Sequence, residues 1–281
     1  MKQMRLPSIV KQAFLNDQTR VSRIAKVTFQ NQTNPVVMKE PADFWHRDFI
    51  LNEATILEGI RHPRVRQMIA FEPESGRLFL EFIDAPTLKD LVTDKTYATN
   101  PERIHIILKH LAEVIADLHE GVLCSHPVIH NDLKSCNLMV LPGDEVSLID
   151  FSHSYVPNHN PSFVTERDRD PIGTAKYMAP EKWDCNYSLG KQSDVFAFGV
   201  LGYVAATGQY PFEGTPAQLE EIIKNTQPVY PLKLNVPISR NLASIILDCL
   251  AKDPKGRPTM RHVADSLRLS QQVSRPSYNF E

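Results

Sequence analysis

Residues able to do chemistry crowd into one stretch, His130-Asn131-Asp132-Leu133-Lys134-Ser135-Cys136-Asn137-Leu138-Met139-Val140. Pro142-Gly143-Asp144 and then Val146-Ser147-Leu148-Ile149-Asp150-Phe151 follow it. This pattern predicts a polar loop, a short apolar strand, a turn and a second apolar strand. A hairpin folded about residues 143 and 144 sets Asn137 roughly opposite Asp150, with an amide oxygen and a carboxylate at its open end. Asp132 and Lys134 lie just upstream in the same loop. The cluster offers oxygen donors to a hard cation such as Mg2+, an ammonium to developing negative charge, and a carboxylate to a proton. Those are the needs of phosphoryl transfer to a hydroxyl. A structural loop, with Asp and Asn closing side-chain turns, is the competing reading. The number of typed positions at fixed offsets weighs against it.

These residues resemble the catalytic core of the protein kinase family, whose pattern is H-R-D-L-K-x-x-N followed by D-F-G. Asn131 stands at the arginine and Ser152 at the glycine. The resemblance implies that Asp132 deprotonates the acceptor hydroxyl, Lys134 contacts the transferred phosphate, and Asn137 and Asp150 hold Mg2+. It also implies that Thr174, in Gly173-Thr174-Ala175-Lys176-Tyr177-Met178-Ala179-Pro180-Glu181, helps to position Asp132 and Lys134. Lysine two residues after the aspartate is the pattern of serine/threonine-specific members. The implied fold is bilobal α+β. A small five-stranded antiparallel lobe with one helix occupies residues 1–83, and a larger, mainly helical lobe occupies 84–281, with a loose tail from about residue 271.

Several elements must bring partners to this cluster. Residues 24–29 and 35–39 read as a strand hairpin across 30–34. Lys39, after Val36-Val37-Met38, matches the family lysine that holds the α and β phosphates of ATP. A helical stripe over 43–61 carries Trp45, Phe49, Ile56, Leu57 and Ile60 and ends near Gly59 and His62-Pro63. Glu53 on that helix matches the ion-pair partner of the strand lysine, with Glu58 as its rival. Strands follow at 66–71 and 77–82. Glu81-Phe82-Ile83 resembles the hinge whose backbone, at Glu81 and Ile83, bonds adenine; Leu80 lies behind it. Val37, where the family usually has alanine, and Met139 complete the nucleotide-contacting set.

Three departures carry expectations. The family's G-x-G-x-x-G loop is replaced near Asn16-Asp17-Gln18-Thr19-Arg20-Val21-Ser22, for no glycine precedes Gly59. Asn and Asp tolerate left-handed backbone, but side chains hinder close approach to phosphate and Asp17 adds negative charge. Weaker nucleotide binding is the consequence. Asn131 removes the bidentate partner of an activation-segment phosphate, so control by loop phosphorylation is not expected. Ser152 adds a side chain at a backbone pivot and restricts its flips.

Beyond the hinge the pattern turns helical. A short helix fits 87–95, and Asn100-Pro101-Glu102 opens one whose stripe is Ile104, Ile107, Leu111, Val114, Ile115 and Leu118. Residues 153–172 read as a binding loop. The segment from Ser193 to Thr207 is apolar on all sides and hence central. Within it Asp194 matches the residue that holds the catalytic loop's backbone, and Glu181 is expected to pair with Arg257. Three further helices fall near 216–225, 240–251 and 260–270.

The whole chain sets bounds. With 281 residues, 23% of them charged, and a net charge of -2, nothing in the balance demands a nucleic-acid partner. Cys124, Cys136, Cys185 and Cys249 have no paired spacing, which fits a reducing compartment. No apolar run follows the basic start and residues 195–207 are too short to span a bilayer, so membrane insertion is not expected. The composite expectation is a cytoplasmic serine/threonine protein kinase, a nuclear location being equally open. It uses ATP and Mg2+ on a protein Ser or Thr, with room for a regulatory protein partner. A pseudokinase serving as a nucleotide-binding or scaffolding module is the alternative, drawn from the missing glycines, Asn131, Ser152 and Val37. A kinase-like enzyme acting on small molecules such as aminoglycosides is the third reading. The stretch before Glu181, Arg257 and the Asp194 helix speak against that one.

Overall fold

The computed structural model describes residues 7–16, 22–94, 100–157, 175–184 and 190–273. The expected Gly173 and Thr174, most of the 153–172 loop, and residues 17–21 of the phosphate-covering turn lie outside them.

Five antiparallel strands form the first layer, in the order β1-β2-β3-β5-β4. They are β1 (Ile9–Asn16), β2 (Ser22–Phe29), β3 (Val36–Pro41), β4 (Met68–Glu72) and β5 (Arg77–Glu81). Strand side chains alternate between faces, and here the alternation divides two cores. Ala25, Val27, Phe29, Val36, Met38, Ala70 and Phe79 pack on one face. Val37, Leu78 and Leu80 face the other way, into the main core. Lys39 shares parity with Val37, so its ammonium is delivered to that inner side. Register fixes it further, with Lys39 between Ile24 of β2 and Leu78 of β5.

Helix α1 (Arg47–Gly59) lies against that inner face. Asp43 Oδ1 accepts from Trp45 N at 2.8 Å and His46 N at 3.2 Å, which starts a 3-10 turn at Phe44–His46 ahead of the helix. That turn has a different angular step from the helix, and it takes Trp45 off the expected stripe. Trp45 is 63% exposed. The buried face is instead Ile50, Glu53, Ala54 and Leu57, at helical spacing, with Ile56 beside it. Strand β4 also begins two residues later than expected. Residues 64–66 are engaged elsewhere: Arg66 N–H donates to Leu148 O at 3.0 Å and Leu148 N–H to Arg64 O at 2.9 Å.

The larger layer is helical. It comprises α2 (Leu88–Thr93), α3 (Pro101–Glu120), α4 (Lys191–Thr207), α5 (Pro216–Asn225), α6 (Arg240–Cys249) and α7 (Met260–Val273). Thr87 and Asp90 close a capping box on α2, and Asn100 Oδ1 caps α3 through the Glu102 and Arg103 amides. Helix α4 is buried from Ser193 to Ala206, as a helix apolar all round must be. Its approach to α6 requires glycine, because a Cβ on Gly199 would stand 2.9 Å from Cys249 Cβ.

A two-stranded sheet, β6 (Leu138–Val140) and β7 (Val146–Leu148), sits between the layers. Its pairs are Leu138 with Leu148, Met139 with Ser147 and Val140 with Val146. This corrects the expected register by one residue. Leu141 N–H bonds Glu145 O at 2.8 Å around Gly143 (φ 78) and Asp144 (φ 60), an odd loop centred on Gly143 alone. Asn137 therefore meets Ile149, whose N–H donates to Asn137 O at 3.0 Å, and Asp150 lies one residue past the ladder.

Candidate active site

Lys39 is where the two layers meet. Its Nζ donates to Glu53 Oε1 at 3.0 Å, to Glu53 Oε2 at 2.8 Å and to Asp150 Oδ1 at 2.9 Å. Glu58 is exposed, so Glu53 is the partner among the two carboxylates considered. Asp150 reaches the lysine because its φ of 67° turns the chain out of the β7 direction, a conformation that Asp tolerates better than most residues. Burial works against the charge of Lys39, yet Asp150 and Glu53 outweigh it and hold its pKa above the ordinary lysine value. Burial also opposes the Asp150 charge, and Lys39 with its neighbours overcomes it, so this carboxyl lies far below the usual range. For Glu53 burial wins and its carboxyl is pushed up despite Lys39. One ammonium does not compensate the buried Glu53 and the half-buried Asp150 equally.

Asp132 and Lys134 form a second contact set, with Lys134 Nζ donating to Asp132 Oδ2 at 2.6 Å. Asn137 Nδ2 donates to Asp132 O at 2.9 Å and Oδ2 at 3.2 Å. With its NH2 turned to Asp132, Asn137 has its Oδ1 on the other side of the amide, where it accepts only the weak Cys136 Sγ–H donor at 3.8 Å and keeps a lone pair for a cation. Asp132 Oδ1 and Asp150 Oδ2 accept no hydrogen bond among the described residues.

The loop carrying these groups is held from below. Asp194, on the first turns of α4, accepts His130 N–H at Oδ2 and Asn131 N–H at Oδ1, both at 2.8 Å, and His119 Nε2 lies 3.0 Å from Oδ2. The His130 ring packs on Phe151 with centroids 4.8 Å apart. Its Nδ1 accepts Asp132 N–H at 3.4 Å and its Nε2 meets Ile149 O at 3.3 Å, which fixes the proton on Nε2. Asn131, at φ 65°, donates Nδ2 to His153 O at 3.0 Å, while Lys182 Nζ donates to Asn131 O at 3.0 Å and Oδ1 at 2.8 Å. Arg257 grips Glu181 through two bonds of 2.7 Å, the expected tie between distant segments.

The remaining expected positions divide. Val37 is buried on the Lys39 side of β3, and Met139 is buried in β6, where it bridges Thr87. Glu81 ends β5 with its side chain exposed and its N–H committed to Gln67 O at 2.9 Å. Ile83 is half-buried, and its N–H makes no hydrogen bond among the described residues. Thr174 lies outside them. Sequence reasoning missed three participants. Ser152 Oγ donates to Asp150 Oδ1 at 2.8 Å, so the hydroxyl steadies the neighbouring carboxylate rather than only stiffening a pivot. Asn52 Nδ2 bonds both Ser152 O and Ser154 O, at 3.1 and 2.9 Å, and ties α1 to the segment after Asp150. The third is Lys182; its place directly after Glu181 was the only signal.

A family model described as protein kinase domain matches residues 20–267, nearly the whole chain. The chain belongs to the protein kinase family. Among this kinase domain's relatives, serine/threonine-protein kinase pkn2 of Myxococcus xanthus is 30% identical over 226 residues, covering 76% of this chain and 26% of the relative. Serine/threonine-protein kinase PknB of Mycobacterium tuberculosis is 30% identical over 183 residues, covering 64% of this chain and 28% of the relative. Probable serine/threonine-protein kinase PknB of Lactococcus lactis is 27% identical over 266 residues, covering 91% of this chain and 39% of the relative. The kinase domain thus spans about a quarter to two fifths of these relatives. Among its described residues no helix is long and apolar enough to cross a membrane.

Proposed function

We propose that this kinase domain transfers the γ-phosphate of ATP, with Mg2+, to a Ser or Thr hydroxyl of a protein. The observation that carries the reading is the position of Lys39. A lysine on the five-stranded sheet bonds Glu53 of α1 and Asp150 of the segment after β7 at once, at 2.8 to 3.0 Å, so cationic and anionic groups converge from both lobes. The lobe boundary is taken at residues 83 and 84, between the hinge and α2.

The donor set fits the metal. Asn137 Oδ1 and an Asp150 oxygen are hard ligands, and among the described residues there is no cluster of three or more His, Cys, Asp or Glu side chains that could hold a metal alone. Two protein oxygens are what Mg2+ takes when nucleotide phosphates complete its shell. When bound, the ion neutralises charge on the phosphates. Lys39 orients the α and β phosphates, and Glu53 aims Lys39. Asp132, with its Oδ1 unengaged, accepts the proton of the acceptor hydroxyl, and Lys134 steadies the transferred group from a starting point 2.6 Å from Asp132. By the family resemblance, Thr174 helps to position Asp132 and Lys134. Val37, Met139, and the Glu81 and Ile83 backbone hold the adenine.

Regulation follows from Asn131. Its amide, Lys182 and the His153 carbonyl link both ends of the activation segment to the catalytic loop without a phosphate, which supports a domain not switched by phosphorylation of that segment. A regulatory protein partner then becomes the natural source of control. Free thiols at Cys124, Cys136 and Cys249 support a reducing, cytoplasmic or nuclear home.

The test is transfer of labelled γ-phosphate from Mg-ATP by the purified chain to itself, to a generic basic protein and to an aminoglycoside. Labelled Ser or Thr is expected on protein, abolished by Asp132→Asn and by Asp150→Asn. Nucleotide binding without transfer, or label on the aminoglycoside alone, contradicts the proposal.

A further inference from the structure

Arg66 is a buried cation that the roles above do not use. It stands just ahead of β4, and its backbone N–H bonds Leu148, two residues before Asp150, at 3.0 Å. The residue is 7% exposed. Its Nε is buried without a hydrogen-bond partner, and the guanidinium enters no ion pair among the described residues. A guanidinium keeps its charge and carries five donors, so burying it unpaired is costly. Burial pulls its pKa down, and the carboxylates of Glu53, Asp150 and Glu81 pull it back up.

Glu53 has the complementary deficit. It is fully buried and shares its ammonium with Asp150. An ammonium has three donors, and all three of Lys39's are engaged, two by Glu53 and one by Asp150. A phosphate can be held only if one of these bonds is released. We propose that Arg66 is the second cation of Glu53, a positioning residue that keeps the α1 carboxylate in place when Lys39 turns to nucleotide phosphate. The second half rests on the ATP reading; the coupling of Arg66 with Lys39 through Glu53 does not.

The experiment is a thermal-stability cycle on the full chain without nucleotide: Lys39→Met, Arg66→Met and the double variant, repeated on a Glu53→Gln background. The expected double variant melts at least about 4 °C below the sum of the single losses, since neither cation is left for Glu53. In the Glu53→Gln background that excess disappears. Additive losses in the native background, or an excess that survives Glu53→Gln, overturn the proposal. If the double variant does not fold, the binding of ADP with Mg2+ decides. Arg66→Met should weaken it roughly tenfold and Arg66→Lys restore it to within about threefold; equal weakening by both, or by neither, overturns it. A native chain that binds no nucleotide yet retains the excess refutes the ATP reading and supports the pairing.

Discussion

Replacing Asp194 tests how the catalytic loop is held. The carboxylate takes three hydrogen bonds, two from backbone amides at 2.8 Å and one from His119 at 3.0 Å. Burial opposes its charge, but His119 and the loop hold its carboxyl below the usual range. Asp194→Ala removes all three acceptor contacts and orphans two buried amides and a ring N–H. At about 1–3 kcal/mol for each of the three orphaned donors the loss spans about 3–9 kcal/mol, and the middle of that range, about 4–6 kcal/mol, is expected. For a chain of this size that lowers the melting midpoint by about 10–20 °C. Asp194→Asn keeps one carbonyl oxygen but turns an NH2 toward a donor, so about half of that loss is expected. Asn131, held at φ 65° by this contact, then relaxes and takes Asp132 with it. Calorimetry and steady-state kinetics read the two effects: kcat falls while KM for ATP stays within about threefold, because Lys39 and Glu53 do not touch Asp194. An Asn variant that melts within about 1 °C of the native chain, or a loss confined to KM, refutes the reasoning.

Three other outcomes are expected. Ser152→Ala deletes a charge-assisted bond to Asp150 and should cost about 1–2 kcal/mol by denaturant titration; no change in midpoint contradicts it. Arg257→Met strands the buried Glu181 carboxylate and should cost about 3–5 kcal/mol, with part of the stability regained in a Glu181→Leu, Arg257→Met double variant; a double variant less stable than the single shows that the pair itself is the stabilising element. Stability should also fall with acid. Burial holds His62, His110, His130 and His153 below the ordinary 6.5. The unfolded chain therefore takes up protons that the folded one refuses, and this contribution is full above pH 6.5 and lost as pH falls. Glu53, with its raised pKa, pulls the other way, one group against four. A melting temperature that stays flat or rises between pH 7.5 and 5.5 contradicts the sign.

Local rules made much of this molecule legible. Asn100 and Pro101 open α3 as cap and first-turn proline, and the all-apolar α4 announced its burial. The cluster was legible because its spacing in the chain is short. The errors came where geometry depends on one residue more or less: the odd loop about Gly143 moved the partner of Asn137 from Asp150 to Ile149, and a capped 3-10 turn displaced Trp45. Arg66, Asn52 and Lys182 were invisible because polar residues there carry no periodic signal. Their roles arise from contacts between segments far apart in the chain, 51 residues for Lys182 on Asn131 and 102 for Asn52 on Ser154.

The most direct test of the converging site is a crystal structure with Mn2+ and a non-hydrolysable ATP analogue. The account predicts an anomalous peak shared by Asn137 Oδ1, an Asp150 oxygen and phosphate oxygens, with Lys39 Nζ on a phosphate and the γ-phosphate facing Asp132. Metal and triphosphate bound away from the Lys39–Asp150 pair, or a γ-phosphate directed away from Asp132, contradicts it.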